Sequence, residues 1–184
     1  MEREAIETLT IGDLTFRLFY DPDPMSPREW NNVWLLVSGA PKIAAMDLVY
    51  TEGLNFWFED YKKEHPKAEV HKIWGYKHSG TLLSTEPYDD NWDSGLVGIA
   101  VRDPDAHPEL TPEDALDTLG AELDAYQKYI NGEVYGYTIH RVVPCVACGY
   151  DHEDEVDSCW GFYSQEEAKD AWKNMTKHPC PVSP

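Results

Sequence analysis

Cys145-Val146-Ala147-Cys148-Gly149, followed by His152, is the segment of this 184-residue chain best suited to metal chemistry. Two cysteines two residues apart, with glycine after the second, make a turn that can present two thiolates to one Zn²⁺. Tetrahedral zinc needs two further ligands, and His152, Cys159, His178 and Cys180 are the candidates. Zinc held in this way would be structural, clipping a knuckle-like loop over residues 144–153 rather than activating water. The alternative is an unmetallated turn with two reduced thiols. A thioredoxin-like redox role fits less well, because the pair falls between two expected strands and not at a strand-to-helix junction.

A second group is His78 in HSG together with Asp93 and Ser94 in WDSG. These are the residue types of a hydrolase triad, and Ser94 beside Gly95 could sit on a tight turn, but no nucleophile-elbow pattern surrounds it. The competing reading is that Asp93 and Ser94 hydrogen-bond their own backbone and shape a turn before a strand. Asp89, Asp90, Asn91 and Asp93 in the same loop offer oxygen ligands of the kind Ca²⁺ or Mg²⁺ takes, without the spacing of an EF-hand. A solvated surface loop accounts for them equally.

Charge is the most unusual bulk property. Fifteen Lys and Arg face 34 Asp and Glu, a net charge of −19, with the excess steeper in the second half. Such a surface repels phosphate backbones and argues against direct nucleic-acid binding. It would attract a protein with a basic surface. The carboxylates expected to meet such a partner are Glu113, Asp117, Glu122 and Asp124, on the outer face of a helix, and Asp151, Glu153, Asp154 and Glu155 in the run DHEDEVD. That run would imitate a row of phosphates, as in a DNA mimic. A solvated hairpin tip explains it too, and solubility alone explains the charge.

The elements that would position these groups can be read from periodicity and turn chemistry. Hydrophobic residues make up 42% of the chain and include 7 Trp and 11 Tyr, enough for a core without disulfides. AIETLTI and LTFRLFY alternate around Gly12-Asp13 and predict a hairpin over residues 4–20. Ser26-Pro27 predicts a helix start, with the helix running toward Leu36. KIAAMDLVY reads as a buried strand, LNFWFEDYKKEH as a helix whose Phe56, Trp57 and Phe58 either pack in the core, the preferred reading, or form an exposed patch, and EVHKIWGYK, TLLST and LVGIAVR as strands. Thr111, Pro112 and Asp114 open the clearest helix, whose stripe is Leu116, Leu119, Leu123, Tyr126 and Ile130. Residues 133–143 and 155–163 are expected to pair around the cysteine loop, with Trp160 and Phe162 sharing a core face and Cys159 on the other. A last helix starts at Ser164 and buries Ala168, Ala171, Trp172 and Met175. The whole is expected to be a single α+β domain over 1–184, a mainly antiparallel sheet with a few packed helices and a flexible tail at 177–184. No apolar run approaches the ~18 residues of a membrane span. The N-terminal MEREAIETLT lacks a signal-peptide core, so a cytoplasmic address is expected.

Several blocks carry a resemblance. HSG-TLLSTEP, WDSGLVG, YQKYINGEVYGY and DSCWGFY, in that order, with YDPDPMSPREWNN before them, are similar to successive blocks of an uncharacterised family of bacteriophage proteins. The blocks reach from about Tyr20 to Tyr163. The resemblance implies phage origin, the cytoplasm of an infected bacterium and an accessory role, and it brings no established activity or site residues. The stretch from about Val33 to Lys77 departs from the family pattern. CVACGYDH looks like an insertion in a hairpin that can be shorter, which puts a shared metal function in doubt.

Three functions compete on this reading. The first is an acidic accessory protein that binds and inhibits a host defence or nucleic-acid-binding protein. The second is a structural or regulatory phage protein with no inhibitory role, whose partner is another phage protein. The third is a small metal-dependent or Ser/His hydrolase. The first is preferred and the enzyme ranks last. Oligomeric state is not legible.

Overall fold

The computed structural model describes residues 4–89, 92–147 and 149–177, the last three by backbone alone. Three helices and nine strands form two mostly antiparallel sheets, an α+β fold as expected. The chain divides into two compact units: Met1–Met25 with Gly132–Pro184, and Ser26–Asn131.

The first unit is a four-stranded sheet in the order β1-β2-β8-β9. Strands β1 (Glu7–Ile11) and β2 (Leu14–Tyr20) form the expected hairpin. Ile11 pairs with Leu14, so Gly12 and Asp13 alone reverse the chain, and Gly12 adopts the φ of +64° that such a turn demands. Strand β2 then pairs with β8 (Tyr135–Pro144) from Leu14–Arg141 to Tyr20–Tyr135, although the whole second unit lies between them in sequence. Strand β9 (Asp151–Phe162) is the outer strand on that side. Alternation places Phe16, Leu18, Tyr135, Tyr137 and Ile139 on one face. Ala168 and Trp172 of α3 (Gln165–Lys177) pack on this face, with the Phe16 and Trp172 rings stacked at 4.7 Å. The Ser164 Oγ accepts the Glu167 N–H at 3.1 Å, the expected cap of α3. The side chain of Met175, and the tail beyond Lys177, lie outside the described residues.

Trp160 and Phe162 do not share a face. Phe162 pairs with Tyr135 and Trp160 with Gly136, which leaves Gly161 as an extra residue with a φ of +87°. One extra residue resets the two-residue alternation of a strand. Phe162 therefore stacks on Tyr137 in the core at 5.7 Å. Trp160 lies on the opposite face, its ring flat against Gly136, where a Cβ would not fit.

The second unit is a five-stranded sheet in the order β4-β3-β7-β5-β6, formed by β3 (Leu35–Ser38), β4 (Leu48–Val49), β5 (Glu69–Lys77), β6 (Thr81–Ser84) and β7 (Ser94–Arg102). Leu36, Ile73, Leu83 and Ala100 pack with α2 (Pro112–Ile130), while Val37, Ile99 and Val101 pack with α1 (Leu54–Glu64). Helix α2 begins where the sequence predicts. The Thr111 Oγ1 accepts the Asp114 N–H at 3.2 Å and donates to the Asp114 carboxylate at 2.6 Å, satisfying a first-turn donor. Its buried residues are Ala115, Leu119, Leu123 and Tyr126, whereas Leu116, expected in the stripe, is exposed.

Three local expectations fail in this unit. The helix expected from Ser26 toward Leu36 is a single 3-10 turn, Pro27–Glu29, because the apolar segment after it is drawn into the sheet as β3 between β4 and β7. KIAAMDLVY is not a buried strand. It holds a tight turn that buries Ala44, and then the exposed two-residue β4, which pairs in parallel with β3. Helix α1 forms, but it buries no residue fully: Phe56 is 74% exposed, while Trp57 and Phe58 are half-buried against the sheet. Among the described residues no helix is long and apolar enough to cross a membrane.

Candidate functional site

The cysteine loop is closed by its own backbone. The Cys145 N–H donates to the Tyr150 carbonyl at 3.0 Å, and the Gly149 N–H to the Cys145 carbonyl at 2.9 Å, with Gly149 at a φ of +74°. Cys148, His178 and Cys180 lie outside the described residues. His152 stands just past the turn, opposite Val143, whereas Cys159 lies seven positions further along β9, opposite Tyr137. Seven residues of strand span roughly 23 Å. All zinc ligands must lie within about 2.3 Å of the ion, so Cys159 cannot complete a site with His152. Among the described residues no three of His, Cys, Asp and Glu converge on a metal position.

His78 and Asp93 do come together, at the end of β5 and the start of β7. The Lys77 N–H donates to the Asp93 carbonyl at 2.9 Å, and the His78 Nδ1 lies 3.6 Å from the Asp93 Oδ2. That distance is beyond a hydrogen bond. The two side chains are 74% and 46% exposed, so water screens their interaction. Ser94 opens β7 opposite Tyr76. In a triad the carboxylate is buried and orients the imidazole by a hydrogen bond, and this surface pair provides neither condition. Of the nearby acidic loop, Asp90 and Asn91 lie outside the described residues.

The acidic residues divide by environment. Asp151–Asp157 is part of strand β9 and not a hairpin tip, and its carboxylates lie on an edge strand. Asp151, Glu153, Asp154 and Glu155 are all exposed. Among the described residues, Glu153 is the one of these four with an ion pair, to the Arg17 guanidinium at 2.7 Å. On α2, Glu113 and Asp117 are exposed, and Asp124 pairs with Lys128 one turn on at 2.7 Å.

Glu122 is not on the outer face. Its Oε1 accepts the Val33 N–H at 2.7 Å, and its Oε2 lies 3.0 Å from the Arg28 Nη1. Arg28 also grips Asp47 through Nε and Nη2 at 2.8 and 2.7 Å, and donates to the Trp34 carbonyl at 2.6 Å. The Arg28 and Glu122 side chains are 8% and 9% exposed. Burial opposes the charge on Arg28, yet the hydrogen bonds to Asp47 and Glu122 outweigh it and raise the pKa above its ordinary value. This triad of Arg28, Asp47 and Glu122 is invisible in the linear sequence except for one signal. At 100° per residue, Glu122 falls beside Ala115 and Tyr126 on the buried arc of α2.

Each unit also carries a concavity. In the second unit, a cavity of about 680 Å³ is lined by Arg28, Trp34, Tyr61, His65, Arg102 and His107, among others. Arg102 holds Glu69 through Nε at 2.8 Å and lies over the Trp34 ring at 5.6 Å, while its buried Nη1 has no hydrogen-bond partner among the described residues. The Glu69 carboxyl is held below its usual range chiefly by the hydrogen bond from Arg102. The His65 Nδ1–H donates to the Asp103 carboxylate at 2.8 Å, the first of the contacts that hold that carboxyl below its usual range. In the first unit, Arg17, Phe19, His140, Glu153, Glu155 and Trp160 line a concavity of about 580 Å³ on the sheet face opposite α3.

No family model matches the chain, and neither a curated protein nor a solved structure is significantly similar to it.

Proposed function

We propose that this is an acidic interaction protein, of phage origin and acting in the cytoplasm of an infected bacterium, that occupies a Lys/Arg-rich surface of a host defence or nucleic-acid-binding protein and inhibits it. The observation that supports this reading most directly is strand β9. It presents Asp151, Glu153, Asp154 and Glu155 along an open sheet edge, with one of the four neutralised by a described cation. Side chains two apart on a strand repeat at about 6.7 Å on one face, so the edge offers carboxylates at regular intervals in a semi-rigid row. Fixed, repeated negative charge can displace the counterions of a basic groove much as nucleic acid does, and it speeds encounter at low salt. A row held by a sheet also loses less conformational freedom on docking than the same charges on a loose tail.

The test is a pull-down of the tagged full chain from bacterial lysate at low and moderate salt, beside a variant carrying D151N, D154N and E155Q. Bound proteins are identified by mass spectrometry. A nucleic-acid-binding partner that is released as salt rises, and is lost with the neutralised variant, is the expected result. A partner retained equally by the variant would remove β9 from the reading, and recovery of no host protein at either salt would overturn it.

A further inference from the structure

Helix α1 and the strand edge beside it form a surface that the packing of the second unit leaves open. Tyr50, Trp57, Asp60, Tyr61 and Glu64 line a cavity of about 250 Å³. Helical spacing explains the set. Trp57 and Tyr61 are four residues apart on one row, their rings stacked at 5.1 Å, and Asp60 and Glu64 form the next row, also four apart. His65 continues the ring stack at 4.3 Å from Tyr61 and is itself tied to Asp103, so the aromatic wall is braced from its far end. Exposed apolar side chains flank its lining residues along the chain: Leu48 and Val49 precede Tyr50, and Phe56 precedes Trp57.

Aromatic walls and a carboxylate rim are together the chemistry of an organic-cation site. Tyr61 is stacked between Trp57 and His65, so Trp57 and Tyr50 are the rings that can turn an electron-rich face to a cation; the carboxylates fix its charge, and neither suits an anion. The same helix already shows the contact within itself, with the Lys62 ammonium 5.7 Å from the Phe58 ring centre. Of the two carboxylates, Asp60 pairs with Lys63 at 2.6 Å, a fully solvated pair that costs little to exchange. Glu64 is exposed and has no ion pair among the described residues.

We infer that this α1 cavity receives the side chain of an arginine or lysine from a basic protein partner, with Trp57 and Tyr50 around its cationic end, Tyr61 backing Trp57, Asp60 and Glu64 at the rim, and Leu48, Val49 and Phe56 beside it. A protein is the source because the carboxylates at the cavity complement a basic protein surface, and that surface would also cover the exposed apolar residues adjoining Tyr50 and Trp57, which a small free cation would not. The identity of the partner as a basic protein rests on the function proposed above, but cation recognition by the cavity does not.

The test is a titration of the ¹⁵N-labelled full chain followed by NMR, with N-acetyl-arginine amide as probe and N-acetyl-citrulline amide, its uncharged near-isostere, as control. Arginine amide is expected to shift the Trp57 indole N–H and the backbone amides of residues 57–64, with citrulline amide at least severalfold weaker. The double variant D60N/E64Q alters exposed side chains and should leave the fold intact. It is expected to weaken the arginine probe about threefold to tenfold. Equal binding of the two probes, shifts centred outside α1, or an unchanged affinity in D60N/E64Q would each overturn the inference. Spermidine binding far more tightly than arginine amide would overturn the assignment to a protein side chain. Neutralising β9 leaves this titration untouched, so loss of the pull-down partner and loss of the cation site are separately readable.

Discussion

Replacing Glu122 and Asp124 one at a time should separate a carboxylate that holds the fold from one that decorates it, although they lie two residues apart on the same helix. Glu122→Ala deletes an acceptor for the Arg28 Nη1 and for the Val33 N–H, in surroundings where both side chains of the pair are less than a tenth exposed. Breaking a buried pair by removing one partner costs about 3–5 kcal/mol, and an orphaned buried N–H about 1–3 kcal/mol. Arg28 keeps the two-pronged contact with Asp47 and its bond to the Trp34 carbonyl, so the combined loss belongs near the lower end, about 3 kcal/mol. Asp124→Ala breaks an exposed pair with Lys128, of a kind that contributes about 0.3–0.5 kcal/mol. Urea unfolding followed by tryptophan fluorescence reads the difference. With a slope of about 2 kcal/mol per molar, Glu122→Ala should move the midpoint down by roughly 1.5 M and Asp124→Ala by about 0.2 M. Small and similar shifts for the two variants would refute the inward placement of Glu122 and return it to the acidic surface.

Trp172→Ala should destabilise the first unit by about 3–5 kcal/mol, because it empties the space stacked against Phe16. Trp172→Phe should cost much less, since the indole N–H it removes is buried without a partner among the described residues; chemical denaturation of both variants checks the order. Gly136→Ala should expel the Trp160 ring from the sheet face, read as a change in near-ultraviolet dichroism with the far-ultraviolet signal kept. The Glu69 carboxyl, held down by Arg102, contributes stability that is present above its ordinary pKa and lost as pH falls through its lowered folded value. Arg102→Lys, which cannot keep the two-pronged contact, should let the Glu69 titration rise toward the usual carboxylate range in a carbon-detected NMR pH series.

What could be read from the residues followed how local their determinants are. The β1–β2 hairpin and α2 were legible because Gly12-Asp13 and Thr111-Pro112-Asp114 settle turn and cap within a few residues. The stretch from Ser26 to Val49 was not. Ser26-Pro27 does start a turn, but the segment after it is a strand because β7 and β4 lie ready on either side, and no local pattern reports that. In KIAAMDLVY the apolar run hides Asp47, whose carboxylate serves Arg28 and the Leu36 N–H, a need that arises from residues far from it in sequence. Trp160 and Phe162 were paired on one face by strict alternation, and a single bulge at Gly161 was enough to part them. For the candidate sites, the nearness of His78 to Asp93 was legible, whereas the acidic run lies in β9 and not at a hairpin tip. The α1 cavity was not legible, because it needs Tyr50, outside the helix, to meet Trp57 and Tyr61.

The pairing of β2 with β8 has a consequence for synthesis on the ribosome. Tyr20 and its partner Tyr135 are separated by about 115 residues, so at roughly 5–20 residues per second the hairpin waits some 6–23 seconds for the strand that completes it. During that interval one rim of β2 is an open template for any extended chain nearby, and a lone hairpin is marginally stable at best. The inserted residues 26–131, whose strands pair among themselves, can fold in the meantime. A translational pause placed after Asn131 should therefore lengthen the exposure of β2 and raise aggregation, while the same pause placed before β2 is made, after Ile11, should not.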